Sequence, residues 1–177
     1  LPIGKSSPPV DIPHFPTRHQ AFVWRNWGLV AIDRLAKVMG CEPECVLQVG
    51  RDLGLNEHDV VADRLWEERG YMTLIRRNWH LLPYDQLLEL LGWSEKQLHN
   101  ALMEDDLLWH KVGVQKPGCS RMILQPLSES QIIETQKLRD VVLRHSFRDP
   151  DELGEAAFGF LNRAYCAPLK AANVPFD

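Results

Sequence analysis

The chain has 177 residues, 45% of them hydrophobic and 25% charged, a balance that excludes a disordered polypeptide and fits one domain or two small ones packed together. Lys and Arg number 20 against 24 Asp and Glu, and the resulting net charge of −4 argues against a dedicated nucleic-acid binder, which needs a basic surplus or a basic face. No apolar run approaches the roughly 20 residues that cross a bilayer, so a membrane is not an expected partner.

The four cysteines are Cys41, Cys45, Cys119 and Cys166. They read as reduced structural residues, because a core of this size needs no staples. Cys41 and Cys45 lack a second Cys or His pair at zinc-ligand spacing, so no metal and no cofactor is expected. Leu1 stands where an initiator Met would, and no signal-peptide core follows it. The expectation is a fragment or processed chain, with the cytoplasm favoured and the compartment otherwise unknown.

Residues 1–17 carry Pro2, Pro8, Pro9, Pro13 and Pro16 and predict an extended lead-in. From there the sequence repeats at an offset of 52 residues: Arg25-Asn26-Trp27 recurs as Arg77-Asn78-Trp79, Leu35 as Leu87 and Gly40 as Gly92. The match runs without a gap from Phe22–Leu55 to Leu74–Leu107, as an internal duplication would. Residues 18–56 therefore form one helix-turn-helix-like repeat and residues 71–127 a second.

In the first repeat, helices are expected over Gln20–Trp27, over Ile32–Met39, and from Pro43 onward, with Gly40 as the turn between the last two. In the second, Pro83 opens Tyr84–Leu91, Gly92 ends it, and Ser94 with Gln97 makes a capping box for the third helix. A polar linker helix is expected at 57–70. After the second repeat, Trp109–Val114 and Arg121–Leu124 read as strands joined by a Pro-Gly turn, a β-hairpin like the wing of winged helix domains. Residues 128–177 hold C-terminal helices. One opens with the Ser128–Gln131 capping box and carries Ile132, Ile133, Leu138, Val141 and Val142; another spans roughly 151–165. The fold class is mainly α.

Leu35, Ala36, Gly40, Val46 and Val49, and again Leu87, Leu88, Gly92, Leu98 and Ala101, follow the spacing of two helices crossing steeply through a short turn. If such a unit read DNA, the base-facing residues would be Gln48 and Arg51 in one repeat and Lys96, His99 and Asn100 in the other, with Lys116 and Arg121 on the wing. Against this, Glu42, Glu44, Glu95 and the run Glu104-Asp105-Asp106 would repel phosphates. The other candidate ligand-binding residues are Trp24, Arg25, Asn26, Trp27, Arg76, Arg77, Asn78 and Trp79, where aromatic faces and forked donors could line a glycan or peptide groove. Their repetition favours a structural role, since a packing solution is copied with its unit. No catalytic constellation is visible: no His pair brackets a Glu at zinc-protease spacing, and no serine lies in a nucleophile elbow.

Phe15–Trp27, Ile75–Tyr84 and Leu87–Trp93 together resemble the N-terminal region of large bacterial proteins of glycoside hydrolase type, over about residues 15–127. That resemblance implies a catalytic barrel downstream and places no catalytic residue in this chain. The functional expectation is a non-catalytic accessory or interaction module of a larger bacterial protein. Its partner would be a neighbouring domain, another protein or a glycan. The alternative is a winged helix-turn-helix DNA-binding domain of a transcription regulator.

Overall fold

The protein is described by a computed structural model over residue 1 and residues 7–56 and 69–145. Contacts divide it into Leu1–Val142 and Leu143–Asp177, and the account below concerns the first unit. Residues 57–68 of the expected linker helix and the expected helix at 151–165 lie outside the described residues.

The described residues are mainly helical: α1 (Arg18–Asn26), α2 (Ile32–Met39), α3 (Pro43–Asp52), α4 (Tyr71–Asn78), α5 (Tyr84–Leu91), α6 (Glu95–Glu104), the short α7 (Leu108–Lys111) and α8 (Glu129–His145). Local chemistry sets most of these ends. Thr17 is extended and accepts from the Gln20 amide, starting α1. Gly40 (φ 66°, ψ 39°) and Gly92 (φ 66°, ψ 31°) both adopt the left-handed conformation that ends α2 and α5. In both turns the next residue's amide reaches back, from Cys41 to Ala36 O and from Trp93 to Leu88 O, each at 3.0 Å. Pro43 begins α3, and Ser94 with Gln97 forms the reciprocal cap of α6.

One continuous core joins the two sets of three helices. Phe22, Leu35, Met39 and Leu53 come from the first set, and Leu74, Ile75, Trp79, Leu87, Leu90 and Leu98 from the second. Each such buried side chain contributes roughly 1.5–3 kcal/mol from removed apolar surface. Two of the polar contacts between the sets form a matched pair. Arg34 donates to Leu90 O at 3.4 Å, and Gln86 donates to Val38 O at 2.6 Å. The donor and acceptor of one bond sit 52 residues from those of the other.

The predicted hairpin is not there, and the described residues contain no strand. Trp109, His110 and Lys111 belong to α7, which is preceded by Asp106 and Leu107 and followed by Gly113 and Val114, all at positive φ. The stretch from Gln115 to Leu127 is extended but pairs with helices rather than with a strand. Gln86 holds Met122 by accepting from its amide (2.6 Å) and donating to its carbonyl (2.8 Å), and the Leu124 amide donates to Met39 O at 3.3 Å. Here α5 and the end of α2 supply bonds that a partner strand would otherwise give to Met122 and Leu124.

The C-terminal helix also differs in detail. Ser128 and Gln131 do cap α8, with Ser128 N donating to Gln131 Oε1 (2.9 Å) and Gln131 N to Ser128 Oγ (3.3 Å). Among its described residues, however, the buried ones are Thr135 and Val142, while Ile132, Ile133 and Val141 are exposed. Thr135 is buried because its hydroxyl accepts from Gln20 Nε2 at 2.7 Å and donates to Gln131 O at 2.7 Å.

Candidate functional site

The two Arg-Asn-Trp motifs come together where α1 meets α4. Asn26 and Asn78 are both fully buried. Asn26 Nδ2 donates to Asn78 Oδ1 at 2.9 Å, and Asn78 Nδ2 returns the bond to Asn26 Oδ1 at 2.7 Å. Each also donates to its own helix one turn back, Asn26 to Phe22 O (2.8 Å) and Asn78 to Leu74 O (2.9 Å). Both donors and the acceptor of each amide are thus engaged inside the protein. The arginines repeat the exchange at the surface: Arg25 donates to Arg77 O at 2.9 Å and Arg77 to Arg25 O at 2.7 Å. Burial, and secondarily the facing Arg77, weakens the hold of Arg25 on its proton.

The other members of the motifs are dispersed. Trp24 packs at a tilt on Phe15, with ring centroids 5.8 Å apart. Trp27 is half-buried and donates to Asn56 O at 2.9 Å. Trp79 is buried and donates to Gln115 O at 3.1 Å. Arg76 is exposed. The structure therefore brings Arg25, Asn26, Arg77 and Asn78 into one cluster that binds itself, and leaves Trp24, Trp27, Trp79 and Arg76 outside it.

The residues expected to meet DNA are also split. On α3, Gln48 donates to Asp52 Oδ1 (2.8 Å), and the Arg51 guanidinium is tied to Gln48 (3.0 Å) and ion-paired with Glu44. On α6, Lys96, His99 and Asn100 are exposed. Arg121 is exposed and ion-paired with Asp85. Lys116, expected on an exposed wing, is buried instead, because the hairpin does not form. Its ammonium donates to Trp79 O (2.6 Å) and Leu82 O, just past the end of α4, where the helix leaves carbonyls in need of donors. It lies 5.2 Å from the Trp79 ring and 5.8 Å from the Tyr84 ring. Burial lowers its proton affinity, while Cys119, with Sγ 3.5 Å away, works in the opposite direction.

Cys41, Cys45 and Cys119 are free thiols. Burial, then the neighbouring Cys45, pushes Cys41 up to about 11, so it stays protonated at neutral pH and is a poor nucleophile.

Sequence reasoning missed a cavity where α1 begins, lined among others by Arg18, His19 and Arg121. Arg121 stands more than 100 positions from Arg18 and His19, so the three form no motif, and only the fold brings them together. No family model matches this chain, and neither does any curated protein or solved structure.

Proposed function

We propose that the chain is a pair of helix-turn-helix-like units fused in tandem, acting as a non-catalytic accessory or interaction module. The observation that carries this reading is the reciprocal Asn26–Asn78 pair. It spends the most conspicuous polar motif of the sequence on holding one set of helices to the other. The matching turns at Gly40 and Gly92 and the paired Arg34–Leu90 and Gln86–Val38 bonds support an origin by duplication. That the module belongs to a larger bacterial protein of glycoside hydrolase type rests on the sequence resemblance.

The DNA-binding alternative draws support from the exposed Lys96, His99 and Asn100 on α6, a third-helix face. It loses support from the burial of Lys116 and from the carboxylates that hold Arg51 and Arg121. A mobility-shift titration of the full chain against random duplex DNA, run at low and moderate salt, separates the two. The module reading expects no retardation. Binding that weakens steeply as salt rises overturns it, since that slope is the signature of phosphate contacts. The same reading expects no turnover of aryl glycosides by this chain alone, and measurable hydrolysis also overturns it.

A further inference from the structure

The helices α1 and α8 both begin beside a cavity of about 410 Å³. Arg18 and His19 line it from the first turn of α1, Gln131 from the first turn of α8, and Ser120, Arg121 and Gln125 from the extended segment. None of the residues lining it is a carboxylate. The positive ends of two helix dipoles and the Arg18 guanidinium therefore act on the same space, with Arg121, one arm of which is paired with Asp85, beside them. Arg18 is held in place by bonds to Leu81 O, Ser120 Oγ and Ser120 O, the last at 3.2 Å. The first-turn amides of Arg18 and His19 precede the helical bonding pattern, while the Gln20 amide is already taken by Thr17.

The decisive group is His19. It is only 5% exposed, yet its ring has no hydrogen-bond partner among the described residues. No buried side-chain nitrogen or oxygen is left orphaned among the described residues, so the ring nitrogens of His19 keep contact with open space, and His19 lines this cavity. A buried imidazole without a protein partner, at the mouth of a helix and beside two arginines, is a donor set waiting for an anion.

We propose that this cavity binds a small phosphate-bearing ligand. The charge would sit among Arg18, His19, Arg121 and the opening amides of α1, and the ligand body against Met122 and Ile123. Phosphate fits better than carboxylate because each guanidinium already has donors engaged elsewhere. The donors at the cavity stand on three separate residues, Arg18, His19 and Arg121, which suits a tetrahedral dianion that accepts from several directions. The cavity is far larger than the roughly 30 Å³ of a water, so it has room for more than a bare phosphate group.

The test is an NMR titration of the full chain that follows the His19 ring, assigned with His19→Gln. The probes are inorganic phosphate, ribose 5-phosphate and acetate at matched ionic strength. Phosphate should shift the His19 signal saturably and raise its titration midpoint. Ribose 5-phosphate should bind at least as tightly, and acetate should give no saturable shift. Arg121→Gln, at an exposed position, should weaken binding at least ten-fold, and Gln125→Glu, which puts a carboxylate into the cavity, should abolish it. An unsaturable response, an equal response to acetate, or unchanged binding in both variants overturns the proposal. So does binding to vesicles with phosphatidic acid headgroups but not to ribose 5-phosphate, which would make the ligand a lipid surface.

Discussion

Trp27 and Trp79 follow the same two residues, Arg and Asn, in the two sets of helices, but they settle among different neighbours. Trp27 lies across Gly50 of α3, so closely that a Cβ built there would stand 2.2 Å from its ring. The position 52 residues on from Gly50 is Leu102, itself buried, so that route is filled in the second set. Trp79 turns instead to the rings of Tyr84 and Trp109, meeting both edge-on at 6.0 and 6.1 Å. In both cases the indole N–H finds a backbone carbonyl well downstream, at Asn56 and Gln115. The comparison teaches that the anchor's hydrogen-bonding rule was kept while its packing was solved twice, once with a hole and once with aromatic edges and a lysine.

The largest expected effect separates the two anchors directly. Trp79→Ala should cost about 3–5 kcal/mol of stability, the usual range for a buried indole, and half-buried Trp27→Ala clearly less. Urea unfolding of both variants checks this, and equal losses would erase the distinction. Next, Asn78→Leu should cost about 1–3 kcal/mol because it leaves the buried Asn26 amide without its partner. The double variant Asn26→Leu/Asn78→Leu should cost less than the sum of the two single changes, as a double-mutant cycle would reveal.

Gly50→Ala should then destabilise by about 1–3 kcal/mol through overpacking against Trp27, and by much less once Trp27→Ala has removed the ring. A full-sized effect in the Trp27→Ala background would show that the contact is not the cause.

Acid should act on both sets. Burial holds His19 below the ordinary histidine value of 6.5, and burial, Lys116 and Arg25 do the same for His80. As the pH falls through 6.5 the unfolded chain takes up these protons before the folded one. The stability contributed by the neutral rings is therefore present above that value and lost on acidification toward the folded values. Protonation also ends the bond in which His80 Nδ1 accepts from the Val10 amide at 3.2 Å. Melting temperatures should fall between about pH 7 and 5.5, and His19→Gln with His80→Gln should flatten that slope. The smallest effect belongs to Lys37, whose exposed ion pair with Glu89 (3.3 Å) links the sets at their surface; Lys37→Ala should change stability by under about 1 kcal/mol in the same melts.

What the sequence made legible was what neighbours along the chain decide. Gly40, Pro43, Pro83, Gly92 and the Ser94–Gln97 box act within one turn, so their residue types alone placed the ends of α2, α3, α5 and α6. The hairpin misled because Trp109 to Val114 has the composition of a strand. Its conformation is settled by distant partners, since Trp109 packs on Trp79 and Lys116 caps the carbonyls past α4. The exposed Ile132 and Ile133 misled in the same way, since a helix read alone cannot say which face meets the rest of the chain. The cavity beside α1 was illegible because His19 is informative only once it is seen to be buried and unpartnered.

Gln86 gives Met122 what an adjoining peptide would give: an acceptor for its amide and a donor for its carbonyl, from one side-chain amide. The same Nε2 also serves Val38 O, so a single planar group stitches three stretches of backbone. A carboxylate in its place would have no hydrogen to offer either carbonyl, and a leucine would offer nothing to all three. Together with the bond from the Leu124 amide to Met39 O, this one side-chain amide fixes the route by which the polypeptide leaves the second set and reaches the first.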